Sequence, residues 1–494
     1  MRQQGMTRIM RSTVTIVCVT MMACVCVVNG QSKAEKIDAL MSLFHEYGQF
    51  NGSVLVAEHG TVIYKKGFGY ANFEWGIPNQ PDTKFRLGSI TKQFTSMLVL
   101  QLVRQGKLTL DGKITDYLPD YPSATGGKIT IHHLLTHSSG IPNYTSYPKF
   151  YRELSRQPSS PADFIKLFAD SSLQFEPGSN YAYSNSGYFL LGVIIEKVTG
   201  KSYEQVLQEQ IFTPLHMAHS GYDRSETILK NRAQGYEKAE RGFVNASFID
   251  MSLPFAAGAL YSTVEDLYLW DQALYTDRLL PDETRNLLFT PHIPTNGASY
   301  GYGWSIGVSP IGRSADSARV IEHGGGINGF NTLISRIPSE KDLVVLLNNT
   351  GGARLEEMNR AIRGILYEKP YNNPRKSLTD TVVAAIEQSG IDAAMTLYRD
   401  LKDHQADLYE VIEREMNVAG YRQLQRGRVK EAIELFRINV ENFPKSSNVY
   451  DSLGEAYLAH GETELAITNY QKSVDLDPRN VNGAEILKKL RTAH

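Results

Sequence analysis

Cysteine is almost missing from this 494-residue sequence. The three cysteines, Cys18, Cys24 and Cys26, all lie within the first 30 residues. If that segment is removed, the rest of the chain has no thiol, which excludes a disulfide scaffold, a cysteine nucleophile and a cysteine-ligated zinc or iron–sulfur site. A nucleophile would then have to be a different side chain.

An excess of charge of one sign is missing as well. The sequence has 51 Lys and Arg against 53 Asp and Glu, and 42% of its residues are hydrophobic. This balance excludes a strongly basic nucleic-acid-binding protein, a disordered chain and a collagen-like chain. The length suggests two or three domains.

The first 30 residues have the pattern of a signal peptide. Arginines without acidic neighbours precede an uncharged, mostly apolar run from Ser12 to Val28, and Val28-Asn29-Gly30 provides a cleavage site. The alternative is an uncleaved membrane anchor, for which 17 residues rich in Thr and Cys are few. We therefore expect an exported protein, periplasmic or secreted from a bacterial envelope, that contacts a membrane only if this segment is retained.

Strand-like segments occur at both ends of a roughly 300-residue stretch. They form two predicted pairs: Ser53–Ala57 with Thr61–Tyr64, and Phe330–Ile337 with Leu343–Leu347. The residues between them are mainly helical in pattern. This order predicts an α/β (α+β) domain over residues 31–366, in which an antiparallel sheet is closed by its first and last segments and flanked by helices, with a helical insert as one wall of a cleft.

Beyond Tyr367 the sequence changes character. Residues 367–377 include Pro370 and Pro374 and are predicted to be a linker. Residues 378–494 have a helical pattern with a period of 34, which relates Gly420 to Gly454, Gly427 to Gly461, Ala432 to Ala466, Phe436 to Tyr470 and Pro444 to Pro478. This period resembles the tetratricopeptide repeat, so we predict an all-α domain that could bind a protein partner, self-associate or cover the preceding domain.

The first candidate for chemistry is Ser89-Ile90-Thr91-Lys92. It opens the stretch Ile90–Arg104, which is apolar almost all round, so we expect a buried helix that fixes Ser89. The spacing of i and i+3 places Ser89 and Lys92 on one helical face, where a buried lysine with a lowered pKa can assist the serine. A second match, Ser146 to Lys149, contains Pro148, which disfavours the helix needed to align the pair.

Two further motifs follow in the chain. Tyr183-Ser184-Asn185 is a Tyr-x-Asn element, and His323-Gly324-Gly325 is a His-x-Gly element just ahead of the late strand pair. With Ser89-x-x-Lys92 they resemble, in order and spacing, the serine β-lactamase and penicillin-binding-protein superfamily, closest to its class C-like branch of esterases, D-aminopeptidases and DD-peptidases. The resemblance covers roughly Ile37 to Leu366 and includes the stretches His133–Pro142, Ala257–Thr263 and Tyr302–Trp304.

The resemblance implies a serine hydrolase that works through a covalent acyl-enzyme, without a metal ion or an organic cofactor. Ser89 would be the nucleophile, and Lys92 and Tyr183 would share the work of the general base. Asn185 would hydrogen-bond the substrate or Lys92. The backbone N–H groups of Ser89 and Gly326 would form the oxyanion hole.

One element departs from the family pattern. Lactamases and carboxypeptidases of this superfamily usually have Lys-Thr-Gly where this sequence has His323-Gly324-Gly325, and that lysine and threonine help to hold a substrate carboxylate. We assign His323 and Gly325 to substrate binding, with support of the strand as the alternative for His323, and expect a largely neutral histidine to hold a carboxylate less well.

This departure favours an ester or amide hydrolase acting on a small-molecule or peptide substrate over a β-lactamase. A further alternative is a non-catalytic scaffold that retains ligands and recruits a protein through the helical repeats.

Two other patterns are interpreted as structural. His133 and His137 have the i, i+4 spacing of a zinc pair, but Leu134 stands where a zincin has Glu, so no metal site is predicted. The segment Gly324–Gly329 matches a dinucleotide-binding fingerprint. However, the following Phe330–Ile337 is predicted to be a strand rather than the required helix, so no dinucleotide site is predicted either.

Overall fold

The structure is a computed structural model that describes residues 31–239 and 242–492. The signal segment expected at residues 1–30 lies outside these ranges. From Lys33 onward the described residues form one compact unit. Every helix within the described ranges is too short or too polar to cross a bilayer.

An antiparallel sheet forms the centre of the described chain. In chain order the strands are β1 (Gly52–Glu58), β2 (Thr61–Phe68), β3 (Tyr70–Asn72), β4 (Ile77–Pro78), β5 (Phe85–Arg86), β6 (Gly221–Tyr222), β7 (Tyr236–Lys238), β8 (Phe243–Asn245), β9 (Leu260–Ser262), β10 (Ile293–Pro294), β11 (Ser299–Tyr300), β12 (Ser305–Pro310), β13 (Ser317–Ile327), β14 (Phe330–Ile337), β15 (Asp342–Asn348), β16 (Lys376–Ser377) and β17 (Tyr409–Glu410). The main sheet has the order β10-β11-β12-β13-β14-β15-β1-β2, and the other strands form small separate sheets.

The first and last predicted strand pairs meet in this sheet. β1 forms a hairpin with β2 on one side and pairs with β15 on the other, so that Ser53 lies opposite Leu347. Successive side chains of β1 point to opposite faces of the sheet, and both faces are buried: Val54 and Val56 belong to one hydrophobic cluster, Leu55 and Ala57 to another. The predicted fold class, an antiparallel sheet flanked by helices, is confirmed.

Helices cover both faces of the sheet. Before the linker they are α1 (Lys33–Glu46), α2 (Thr91–Arg104), α3 (Ile114–Tyr117), α4 (Ser123–Gly126), α5 (Ile131–Leu135), α6 (Pro161–Ile165), α7 (Asn185–Thr199), α8 (Tyr203–Leu207), α9 (Thr213–Leu215), α10 (Phe255–Gly258), α11 (Val264–Ala273), α12 (Asp282–Arg285) and α13 (Leu355–Leu366). α1 and α13 pack with Val54, and α2 and α7 pack with Leu55. The helix predicted from Ile90 is therefore buried under the sheet, as expected from its apolar surface.

The segment after α13 has no helix or strand over residues 369–375, in line with the predicted linker. It is nevertheless packed against the domain before it. The Arg313 N–H donates to the Pro370 carbonyl at 2.6 Å, and the Lys369 ammonium lies 2.6 Å from the Asp316 carboxylate. These contacts fix the direction in which the chain leaves the sheet domain.

The remainder of the described chain is a series of antiparallel helices. They are α14 (Leu378–Ser389), α15 (Ile391–His404), α16 (Glu413–Gln425), α17 (Val429–Asn442), α18 (Ser447–His460), α19 (Thr463–Leu476) and α20 (Val481–Thr492). The helix starts repeat the predicted period of 34, and Gly420 and Gly454 lie where a Cβ would press on Phe436 and Tyr470. A C-terminal helical region is thus present, while its assignment to tetratricopeptide repeats stays a prediction.

Polar contacts join the helical region to the sheet domain. Arg354 at the start of α13 forms an ion pair with Glu410, and Lys238 on β7 lies 2.7 Å from Asp380 on α14. Both pairs are partly exposed, so each contributes little stability by itself.

Candidate active site

Ser89 lies at the junction of a sharp turn and a buried helix. Gly88 has a φ of +54°, a left-handed conformation that glycine adopts without steric cost, and Gly88–Ile90 form a 3₁₀ turn that runs into α2. α2 is buried from Thr91 to Leu102, so packing holds its first turn in place. Ser89 itself remains partly exposed.

The amine of Lys92 lies among oxygen atoms at the base of this turn. Its Nζ is 3.1 Å from Ser89 Oγ, 2.8 Å from Asn185 Oδ1 and 2.8 Å from the Ala257 carbonyl oxygen. Complete burial lowers the pKa of Lys92 well below its usual range, because a buried ammonium loses its hydration.

These contacts fix where the protons lie when the amine is neutral. A neutral amine has two N–H donors and one lone pair. The Asn185 and Ala257 oxygens can only accept, so both N–H bonds point to them and the lone pair is left for the Ser89 hydroxyl. Lys92 is then in position to take the proton of Ser89.

The phenol of Tyr183 reaches the same hydroxyl from another side. Its OH donates to Ser89 Oγ at 2.7 Å, and Lys92 Nζ lies 4.8 Å from the centre of its ring. Burial raises the pKa of Tyr183 above its usual value, so the resting side chain is a neutral phenol and a proton donor. The sequence suggested that both residues share the work of the base; the geometry favours Lys92 as the base and Tyr183 as the acid.

The third motif residue, Asn185, holds Lys92. Asn185 is the first residue of α7, whose N-cap is Ser184, and it lies there because the Ser184 Oγ accepts the Gly187 N–H at 3.4 Å. Its Oδ1 accepts from Lys92, and its Nδ2 lies 3.4 Å from Thr145 Oγ1. Of the two roles suggested by the sequence, the contact with Lys92 is the one present in the structure.

Strand β13 passes the nucleophile turn at the closest distance that two backbones allow. A Cβ on Gly325 would overlap the Leu87 carbonyl oxygen and Thr332 Oγ1, and a Cβ on Gly88 would lie 2.9 Å from the Gly326 nitrogen. Thr332 Oγ1 donates to the Leu87 carbonyl at 2.7 Å and ties the two segments together. Gly325 is buried in this contact, which gives it a packing role, whereas Gly326 is exposed at the edge of the cleft, where an oxyanion-hole donor would be needed.

Both ring nitrogens of His323 have partners within the protein. Nδ1 lies 2.6 Å from the Gly324 carbonyl oxygen, which can only accept, so Nε2 is the acceptor of the Tyr300 hydroxyl at 2.9 Å. Burial, together with the nearby Lys92, lowers the pKa of His323 to about 4. The ring therefore offers a substrate carboxylate neither a free N–H nor a positive charge, and its contacts agree with the alternative role of supporting the strand.

Parts of the site carry no signal in the sequence. The Ala257 carbonyl is a backbone group that every residue has, and Tyr300 stands in no motif. His137 was considered only as half of a zinc pair, yet its ring lies 4.3 Å from that of Tyr183. Its Nδ1 accepts the Ser184 N–H at 3.1 Å. Within the described residues no cluster of three side chains suited to a metal ion occurs.

The glycine pattern at Gly324–Gly329 belongs to a hairpin. β13 ends at Ile327 and β14 begins at Phe330, and Gly329 in the connecting turn has a φ of +77°. No helix follows this segment, so the rejection of a dinucleotide fingerprint agrees with the structure.

An open cleft of about 430 Å³ lies beside Ser89. Its neutral polar groups come from Thr145, Asn185 and Asn328. Its apolar lining consists of Tyr144, Phe150, Tyr151, Ile249, Pro254 and Ile327. Within the described part of the chain, none of the side chains lining this cleft carries a carboxylate, an ammonium or a guanidinium group.

Known proteins share both the sequence pattern and the fold. A profile of the β-lactamase family matches residues 34–367, ending where the predicted linker begins. Penicillin-binding protein 4* of Bacillus subtilis (strain 168) is 32% identical over 368 residues, which cover 70% of this chain and 79% of that protein.

Solved structures give the same result. A penicillin binding protein from Bacillus halodurans superposes with a TM-score of 0.58 at 29% identity, covering 66% of this chain and 98% of that one. D-amino acid amidase from Ochrobactrum anthropi SV3 superposes with a TM-score of 0.56 at 26% identity, covering 67% of this chain and 97% of that one.

Proposed function

Because this chain belongs to the β-lactamase family and is a serine hydrolase, we propose that it cleaves an ester or an amide through a covalent acyl-enzyme on Ser89. The observation that carries the proposal is the contact of Ser89 Oγ with two proton-transferring groups, Lys92 Nζ at 3.1 Å and the Tyr183 hydroxyl at 2.7 Å. A serine hydroxyl is a weak nucleophile until a neighbour takes its proton, and this pair supplies one proton acceptor and one proton donor.

In the first step Ser89 Oγ attacks the substrate carbonyl carbon, and its proton passes to the neutral amine of Lys92. The carbonyl oxygen becomes an oxyanion that accepts from the N–H groups of Ser89 and Gly326, each such donor contributing about 3 kcal/mol. Tyr183 then gives its proton to the leaving oxygen or nitrogen, and the Lys92 ammonium returns a proton to the phenolate. In the second step water attacks the acyl carbon, and Ser89 recovers its proton.

The cleft favours a substrate that is neutral next to the scissile bond. His323 provides neither charge nor a free N–H for a carboxylate, and the lining beside Ser89 consists of neutral groups. A carboxylate brought into such a cleft would lose hydration without gaining an ion pair. Simple esters and the amides of D-amino acids fit this chemistry better than β-lactams or peptides that end in a free carboxylate.

We also propose that the segment before residue 31 directs export and that α16–α20 are tetratricopeptide-like hairpins. The apolar run from Ser12 to Val28 supports the first proposal. The 34-residue spacing of the helices and the close packing at Gly420 and Gly454 support the second. A surface built of such hairpins is suited to binding an extended peptide or a protein partner.

Covalent labelling tests the nucleophile. We expect a fluorophosphonate probe to label the wild type and to leave Ser89→Ala unlabelled, with hydrolysis of p-nitrophenyl esters lost in the same variant. Ser146→Ala is the matched control, because Ser146 begins the other Ser-x-x-Lys match and should keep full labelling. Labelling that persists in Ser89→Ala, or a wild type that neither labels nor hydrolyses aryl esters, would overturn the proposal.

A substrate panel tests the class of acceptor. Nitrocefin, p-nitrophenyl butyrate and D-alanine p-nitroanilide present a β-lactam carboxylate, a neutral ester and a neutral amide. We expect the ester and the anilide to have the higher kcat/KM. Rapid turnover of nitrocefin would contradict the inference drawn from His323.

A further inference from the structure

His137 holds the short segment that carries Tyr183. Its carbonyl oxygen accepts the Ala182 N–H at 2.9 Å, and its ring Nδ1 accepts the Ser184 N–H at 3.1 Å. These are the backbone amides immediately before and after Tyr183. A single residue thus fixes both ends of a three-residue segment whose middle side chain reaches the nucleophile.

The ring of His137 also packs against the ring of Tyr183. Their centres are 4.3 Å apart with an angle of 37° between the planes, and the Tyr300 ring lies on the same histidine at 4.7 Å. His137 is only 1% exposed. Packing of this kind restricts rotation of the Tyr183 side chain and so limits where its hydroxyl can lie.

These contacts require a neutral His137. Nδ1 accepts a backbone N–H, so the ring proton is on Nε2, which is buried and has no hydrogen-bond partner within the described residues. Burial lowers the pKa of His137 well below its usual range, and the nearby Lys92 and His323 act in the same direction. The ring therefore stays neutral and serves as an acceptor rather than as a charge.

The backbone at His137 is unusual in a way that matches this role. Its φ of +57° lies in the left-handed region, which residues with a side chain adopt rarely. This conformation allows the carbonyl and the ring of one residue to face the same neighbouring segment. Such a conformation persists where the surroundings demand it, often next to a reactive group.

We propose that His137 is a positioning residue for Tyr183 and acts on catalysis only through it. The inference rests on the proton-donor role proposed for Tyr183. His137 makes no contact with Ser89 and does not line the cleft, so its loss should slow the proton transfer to the leaving group and leave substrate binding unchanged.

The test compares two substitutions with phenyl butyrate, whose leaving group benefits from a proton. His137→Leu keeps bulk but removes the Nδ1 acceptor, and we expect kcat to fall by about 100-fold while KM changes by less than about threefold. His137→Asn keeps an acceptor close to the Nδ1 position and tolerates a positive φ, so kcat should stay within about tenfold of the wild type.

A double-mutant cycle with Tyr183→Phe separates positioning from general structural damage. If His137 acts through Tyr183, His137→Leu causes no further loss of kcat in the Tyr183→Phe background. Equal losses in both backgrounds, equal damage by the Leu and Asn variants, or a change in KM alone would overturn the inference. If His137→Leu does not fold, the same cycle is run with His137→Asn, whose smaller loss must also vanish beside Tyr183→Phe. An inactive wild type would instead count against the proposed function.

Discussion

Replacing Gly325 by alanine would place a methyl group where two backbones touch. The added Cβ would overlap the Leu87 carbonyl oxygen and Thr332 Oγ1, well inside the 3.4 Å at which ordinary contact begins. Strand β13 and the nucleophile turn must then separate by about 1–1.5 Å. Neither side can yield alone, because sheet pairing holds β13 and the buried helix α2 holds the turn. The shift therefore changes the distance between the Ser89 and Gly326 N–H groups.

The loss of activity expected from this shift is large. A misplacement of about 1 Å at a reacting centre costs about 100-fold in rate, and loss of one oxyanion-hole donor costs about 100- to 1,000-fold. We expect kcat/KM for p-nitrophenyl butyrate to fall by about 100- to 1,000-fold in Gly325→Ala. Overpacking of this kind costs about 1–3 kcal/mol of stability, so the variant should stay folded with a lower Tm by calorimetry.

The neighbouring glycine provides the control. A Cβ on Gly324 would meet nothing closer than the Thr332 carbonyl at 3.6 Å, and the residue is exposed. Gly324→Ala should therefore keep kcat/KM within about threefold of the wild type. The reasoning is refuted if Gly325→Ala retains wild-type activity, or if both alanine variants are impaired to the same degree.

The other predictions concern protons and stability. Lys92→Arg should be inactive at every pH, because a guanidinium stays protonated and cannot take the serine proton. In the wild type, protonation of Lys92 removes the base, so kcat/KM should decrease as the pH falls through the lowered pKa of Lys92 and level off above it; a rate independent of pH on the acid side would contradict this assignment. Tyr183→Phe should slow phenyl butyrate by about 100-fold or more but p-nitrophenyl butyrate far less, since nitrophenolate leaves without a proton; equal losses on both esters would argue against Tyr183 as the acid. Asp271→Ala leaves the buried guanidinium of Arg336 without its partner at 2.5 Å and should cost about 3–5 kcal/mol in urea unfolding, whereas Glu209→Ala at an exposed ion pair should change little.

The centre of the fold could be predicted because its signal is local. The segment Phe330–Ile337, predicted as a strand, is β14 as observed, and the predicted Leu343–Leu347 lies within β15. The edge strand β12, Ser305–Pro310, has Ser, Gly and Pro and no apolar run, so nothing in its own sequence predicts it. It forms because β13 provides a pairing partner, which is information that lies elsewhere in the chain.

The site divides in the same way. Ser89, Lys92 and Tyr183 stand in spaced motifs of reactive side chains, and the structure brings them within hydrogen-bond distance. The contribution of Ala257 is a carbonyl oxygen, and that of His137 depends on a left-handed backbone and on a contact 47 residues away. Groups of this kind become apparent only in three dimensions, because residue type does not distinguish them.

The pairing of β1 has a consequence for the order in which the protein is assembled. Its partner β2 follows at once, but its other partner, β15, is synthesised about 290 residues later. Closing so long a loop is slow compared with forming a hairpin, and until it closes β1 keeps an unpaired edge that other chains can join. A nascent chain that stops before Asn348 should therefore aggregate rather than fold. Ser89 is synthesised early, yet it becomes a nucleophile only when the last strand of the sheet arrives.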